Sequence, residues 1–355
     1  MVSSGFWCDK RVFLTGHTGF KGSWLALWLH RLGARVTGYA LPPATTPALF
    51  EVARVHEVLQ STIGDIRDAA TLTQALANAD PEIILHLAAQ PLVSEGYADP
   101  AGTYATNVTG TLNLLQAARG LKNLRSIVVV TTDKCYENTE TSRAYREADP
   151  LGGHDPYSSS KACVEILTHS WRRSFFNSRE SARIASARAG NVIGGGDWSP
   201  HRLIPDILHA FEAGKSAALR HPDAIRPWQH ALEPLLGYLM LAEHLYADET
   251  HAGAWNFGPA LPDCVSVGEV ADALVQLWPT TAHWQHAPSH LAHEAGLLRL
   301  DASLAQEKLQ WRPRWPLMEA LRQTVDWHQA WLRGEDMQAF CLQQIQSYEQ
   351  ASKTN

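Results

Sequence analysis

No apolar run in the 355-residue chain approaches the roughly 18 residues of a membrane-spanning helix, so none is expected. Charge is sparse too. Asp, Glu, Lys and Arg make up 19% of the residues, the net charge is -6, and no long basic block is present. A nucleic-acid surface is therefore not expected, and an anionic ligand has to be held by a local pocket. Cysteine is scarce: Cys8, Cys135, Cys163, Cys264 and Cys341 are odd in number and scattered. They lack the spacing of a disulfide framework or a metal site, and the histidines show no metal-ligand spacing either. The opening segment MVSSGFWCDKR has no apolar core of a secretory signal. A soluble cytoplasmic protein with reduced thiols and no metal is the expectation.

What is present is an ordinary globular composition, 45% apolar, in a chain long enough for two domains. Short apolar strands are predicted at Arg11–Thr15, Arg35–Ala40, Ser61–Asp65, Glu82–Leu87, Ser126–Thr131 and Arg183–Ala189. Helical spacing lies between them at Lys21–Leu32, Thr71–Ala79, about Tyr104–Ala118 and about Ser158–Phe175. Regular alternation of this kind implies an α/β fold with a doubly wound parallel sheet. After Gly190, glycines and prolines interrupt the pattern, and 191–231 reads as loops and short helices. Leu232–Tyr246 reads as a helix, Ala254–Phe257 as a further strand, and the Trp-rich tail from Pro262 as helical. The predicted division is a dinucleotide-binding domain of 1–190 plus about 232–260. A smaller, mostly helical ligand domain takes about 191–231 plus 261–350.

Gly16, Gly19 and Gly22 follow the first strand and open the first helix, in Gly16-His17-Thr18-Gly19-Phe20-Lys21-Gly22. Glycines there let a pyrophosphate approach backbone amides at a helix N-terminus. The acidic residue that normally holds a ribose hydroxyl at the end of the second strand is missing from Val36–Pro43, as is a basic reader of a 2′-phosphate. NAD is preferred over NADP. Asp65 is placed to contact the adenine, to cap the helix after it, or to do both. The candidate cofactor contacts are Gly16, His17, Gly19, Phe20, Lys21, Gly22, Asp65, Ile66, Leu87, Ala88 and Ala89, with Tyr157 and Lys161.

Tyr157 and Lys161 are four apart and share one helical face. A phenol titrates near pH 10, and an adjacent ammonium lowers that value. The phenolate can then take a proton from a hydroxyl while the attached carbon loses hydride. Thr132, at the C-terminal end of a parallel strand, points into the crevice where such sheets bind ligands.

These segments resemble the extended short-chain dehydrogenase/reductases that act on nucleotide sugars. The loop Gly16–Trp24, Asp133-Lys134-Cys135-Tyr136-Glu137-Asn138 and Ile225-Arg226-Pro227-Trp228-Gln229-His230 are most similar to the 4,6-dehydratases of CDP-glucose. The resemblance implies an NAD-dependent lyase that makes a 4-keto-6-deoxy sugar nucleotide for O-antigen-type deoxysugars. It implies a homodimer built on a four-helix bundle near Tyr104–Ala118 and Lys161–Phe175. Thr132, Asp133, Lys134, Tyr157 and Lys161 become the catalytic candidates, with Asp133 as the acid. Related thymidine-sugar enzymes carry a glutamate base where this chain has Lys134, so Lys134 is either the base or a polariser of the keto oxygen. Gln90, Asn191, Arg202, Arg226 and Trp228 become the substrate contacts; Trp228 either stacks or packs. An epimerase or reductase of the same superfamily, or a catalytically silent NAD sensor, are the alternatives.

Overall fold

The computed structural model describes residues 2–351 apart from 142, 179 and 288–296. β1 (Arg11–Thr15), α1 (Phe20–Arg31) and β2 (Arg35–Ala40) form the first βαβ unit, and β3 (Gln60–Ile63), α2 (Ala69–Ala79) and β4 (Ile83–His86) follow. A helical stretch from Pro100 passes through a π-turn, Ala105–Thr109, into α3 (Gly110–Ala118). Next come β5 (Ser126–Val130), α4 (Pro156–Ser174), β6 (Arg183–Ala189), β7 (Asn191–Ile193), α5 (Leu203–Glu212), β8 (Ala217–Leu219) and β9 (Ile225–His230). α6 (Leu232–Ala247), β10 (Ala254–Phe257), β11 (Cys264–Ser266), α7 (Val267–Leu277), β12 (Trp284–His286), α8 (Leu317–Leu332) and α9 (Met337–Ala351) complete the chain.

Seven parallel strands form the main sheet in the order β10-β6-β5-β4-β1-β2-β3. Val12, Phe13, Leu14, Ile83, Ile84, Leu85, Ile127, Val128 and Val129 are buried because helices cover both faces. From β1 the chain winds outward to β2 and β3, then returns to β4 on the other side. That reversal leaves a crevice at the C-terminal strand ends, where doubly wound sheets bind ligands.

Residues 191–231, expected to be loops and short helices, instead hold three strands and α5. β9 pairs in parallel with β7 and antiparallel with β11, and β8 pairs with β12. Pro227 hid β9 from the sequence reading, since a proline cannot donate to the ladder; here it lies opposite Cys264. The tail is likewise not wholly helical.

The core also crosses the expected domain boundary. Trp311, Trp327 and Tyr348 from the tail are fully buried in one cluster with Trp24 and Trp28 of α1. Trp28 Nε1 donates to Glu349 Oε1 at 2.9 Å, and its ring meets Tyr348 edge-on. α9 therefore packs on the helix that follows the glycine loop.

Candidate active site

The ends of β5 and the start of α4 build the centre of the site. Thr132 leaves β5 extended and caps a 3-10 turn, Asp133–Cys135, accepting from the Lys134 amide at 3.3 Å. Its hydroxyl donates to Asp133 Oδ1 at 3.0 Å. α4 begins earlier than the sequence spacing indicated. Asp155 caps it by accepting from the Ser158 amide at 2.9 Å, and Pro156 occupies the first turn. Tyr157 thus stands in the first turn, where the helix dipole favours an anion.

Burial pushes the Tyr157 phenol up to about 12, while a hydrogen bond with Thr132 and the charge of Arg202 act in the opposite direction. Burial likewise depresses Lys161 to about 8, against the pull of Glu165. The Lys161 ammonium donates to the Val130 carbonyl at 3.3 Å. It was expected to be the group that acidifies the phenol; in this arrangement it is directed to β5, and Thr132 and Arg202 favour the phenolate. Asp133 is 1% exposed, and burial raises its carboxyl above the ordinary range despite Lys134, Thr132 and Arg226. Its Oδ2 has no hydrogen-bond partner among the described residues. A carboxyl so placed is suited to hold a proton and give it up. The turn after β6 closes on it: a Cβ at Gly190 would come within 3.1 Å of Oδ2 and 2.6 Å of Pro227.

The glycine loop fits a dinucleotide. Gly16 has φ +77°, and a Cβ on it would reach the Ala88 amide at 2.8 Å. A Cβ on Gly22 would meet the Gly16 carbonyl at 2.0 Å, so the turn closes only with glycine there. Gly19 caps α1 with no side chain, which leaves the first amides of the helix to an anion. Thr15 Oγ1 accepts from the Leu87 and Ala88 amides at 3.1 Å and holds the Leu87–Ala89 segment beside the loop.

Several expected contacts are engaged elsewhere. His17 is buried against Gly38 and shares a 2.8 Å hydrogen bond with Ser61; burial takes its imidazole down to about 4. Asp65 does not cap α2. Asp68 does, because it sits immediately before Ala69, while Asp65 pairs with Arg67 at 2.6 Å. Ile66 is a core side chain packed on Gly110. Phe20 lies partly buried against the main core. Lys21 faces the Tyr238 ring at 5.7 Å, and burial with Lys161 and Arg202 nearby depresses it to about 7.

A cavity of about 570 Å³ gathers Lys21, Thr132, Asp133, Lys134, Tyr157, Asn191, Arg202, Arg226 and Trp228. Gln90 does not line it, contrary to expectation. Its amide donates to Thr103 at 2.8 Å and its oxygen accepts from the Leu92 amide, so both ends are already satisfied. Trp228 packs: its Nε1 donates to the Val265 carbonyl at 3.1 Å and its ring joins the smaller core. Arg202 pairs with Asp197 at 3.2 Å, and buried Arg226 donates to the Ile225 carbonyl. The sequence reading missed Asp197, five residues before Arg202. It also missed Tyr97, Arg220 and His221 in the cavity wall, which carry no local motif. It missed Glu165 and Arg188 as well, a buried pair at 2.7 Å that ties α4 to β6 behind the site.

Among the described residues no cluster of His, Cys, Asp or Glu could hold a metal. All five cysteines are free, and no described helix is long and apolar enough to cross a membrane.

The family model described as GDP-mannose 4,6 dehydratase matches residues 13–324. A CDP-glucose 4,6-dehydratase of Salmonella typhimurium is 48% identical over 99% of both chains. A dTDP-glucose 4,6-dehydratase of the same organism is 27% identical over 80% of this chain and 83% of its own. Among solved structures, a dTDP-glucose 4,6-dehydratase of Streptomyces venezuelae with NAD bound superposes with a TM-score of 0.78 at 22% identity, covering 92% of this chain and 99% of that one. At that identity the superposition establishes the fold.

Proposed function

The chain belongs to the GDP-mannose 4,6-dehydratase family, and from that membership we propose that it is an NAD-dependent CDP-glucose 4,6-dehydratase. It oxidises carbon 4 of the glucosyl unit, eliminates water across carbons 5 and 6, and restores hydrogen at carbon 6. The product is CDP-4-dehydro-6-deoxy-D-glucose, a precursor for deoxysugars of the O-antigen type. NAD, when bound on the glycine loop, supplies the acceptor and later the donor of hydride.

The residues divide the proton chemistry. Tyr157 takes the proton of the carbon-4 hydroxyl, with Thr132 bonded to the same oxygen. The resulting keto group acidifies the hydrogen on carbon 5, which is why oxidation comes first. Asp133 protonates the departing carbon-6 hydroxyl. Lys134 acts at carbon 5 or on the keto oxygen. Gly16, Gly19, Gly22, Lys21 and the Leu87–Ala89 segment hold the cofactor. Arg202 and Arg226 hold the sugar-nucleotide pyrophosphate, and Asn191 the sugar side.

The observation that carries this reading is Asp133: a buried carboxyl, raised by its burial above the ordinary range, beside Thr132 and in the same cavity as Tyr157. An epimerase or reductase has no need of such an acid. Incubating the protein with NAD and a panel of glucose nucleotides tests it. Turnover of CDP-glucose to a product with the alkali-induced ultraviolet absorbance of a keto-deoxy sugar is expected. A net change in NADH would indicate a simple dehydrogenase, and no keto-deoxy sugar would sink the proposal. A cytoplasmic homodimer through the helical stretches near Tyr104–Ala118 and Lys161–Phe175 is part of the same proposal, supported by free thiols and by exposed Ile166, Phe175 and Tyr104.

A further inference from the structure

The proposed dehydration leaves a proton in the wrong place. The O–H bond at carbon 4 breaks and its proton goes to Tyr157. The C–O bond at carbon 6 breaks, and the departing oxygen takes a proton from Asp133 and leaves as water. The electron pair lost at carbon 4 is the pair regained at carbon 6, and the proton lost at carbon 5 is regained there. Neither contributes a net proton. One turnover therefore ends with Tyr157 protonated and Asp133 ionised, the reverse of the pair that began it. A proton has to pass from the phenol to the carboxylate before the next substrate is processed.

We propose that Thr132 is the relay for that proton, so that the site resets internally without exchanging it with solvent; this rests on the dehydratase reading above. Thr132 Oγ1 already donates to Asp133 Oδ1 at 3.0 Å. The same residue lines one cavity wall with Tyr157 and draws the Tyr157 phenol down, against its burial. A hydroxyl gives one proton and accepts on two lone pairs, so it takes the phenol proton as it releases its own to the carboxylate. All three groups are buried, Tyr157 at 8%, Thr132 at 7% and Asp133 at 1% exposure, which disfavours a route through bulk water. Asp133 Oδ2 has no hydrogen-bond partner among the described residues, so the carboxyl can turn and present the recovered proton. The competing cation does not interpose, because Lys161 Nζ donates to the Val130 carbonyl. The relay provides the path. The charges in the loaded site set which end holds the proton.

The test follows one turnover of the NAD-loaded enzyme with CDP-glucose, in weak buffer with a pH indicator. Wild type and Thr132→Ser are expected to form product with no transient proton in the medium. Thr132→Val is expected to show a proton pulse, and its multiple-turnover rate should rise several-fold with buffer concentration as the buffer replaces the hydroxyl. Tyrosinate absorbance of the unliganded variants gives a reading independent of turnover: Thr132→Val should raise the Tyr157 titration and Thr132→Ser should not. A stoichiometric proton pulse in wild type would overturn the relay whatever the variants do, as would a Thr132→Val enzyme that turns over without pulse or buffer dependence. No keto-deoxy product from wild type defeats the dehydratase reading instead.

Discussion

Asp133 and Lys134 are adjacent in the chain and unlike in surroundings. Asp133 is sealed under the β6–β7 turn, while Lys134 is half-buried at the cavity wall. The carboxyl is thereby equipped to hold a proton, and the ammonium is left in reach of a bound sugar. Replacing Lys134 with Met is expected to cut hydrogen exchange at carbon 5 by ~10²-fold or more, the usual weight of a positioned proton-transfer group. Following deuterium incorporation by NMR reads this directly, and unchanged dehydration would remove Lys134 from the mechanism. At this scale the sequence identified types better than partners. Tyr157, Thr132 and Asp133 were legible because their spacing relative to β5 and α4 is local. The partners of Gln90 and Asp65, Thr103 and Arg67, were not legible, because they are chosen by side-chain packing and not by any motif.

Helices do more in this molecule than carry side chains. α4 starts at Pro156, so its dipole meets the phenol; α1 starts bare at Gly19, so its first amides are left open to an anion. α6 carries a different device. Glu233 is fully buried in its first turn, bonded by the Tyr348 hydroxyl and the Arg314 and Trp315 amides, and burial raises it to about 7. A carboxyl raised in the folded state binds its proton more tightly there than when unfolded. Its stabilising contribution is full below about 4.5 and is lost as pH rises through about 7, roughly 3 kcal/mol in all. Thermal unfolding across that window should show this loss, and Glu233→Gln should flatten it. A Glu233→Gln protein with the wild-type slope would place the effect on another group.

The large sheet and the Trp-rich tail form one core, so the glycine loop and the cavity wall rest on the same packed framework. Gly195 shows how tightly: a Cβ there would meet Trp327 at 2.0 Å, and its carbonyl accepts from Trp24 Nε1 at 3.0 Å. The loop bearing Asp197 and Arg202 is thus clamped between α1 and α8. On the outside, α4 leaves the apolar Ile166 59% exposed, and Phe175, just past its end, is 41% exposed. Mass photometry should find a dimer, and Ile166→Glu should shift it to monomer while leaving the helical content unchanged. Monomers alone in the wild type would refute the proposed interface.

The sequence by itself determined the strand–helix alternation, the glycine turn, and the placing of Thr132 and Asp133 after β5 and of Tyr157 on α4. Each of these depends on neighbours within a few positions, through side-chain period, helix capping and backbone sterics. Only the tertiary structure decided that Pro227 lies inside a strand, that the tail shares a core with α1, and that Lys161 faces β5. These are contacts between segments more than a hundred residues apart for the tail and about thirty for Lys161 and Val130. They are settled by burial and shape, which leave no periodic trace in the chain.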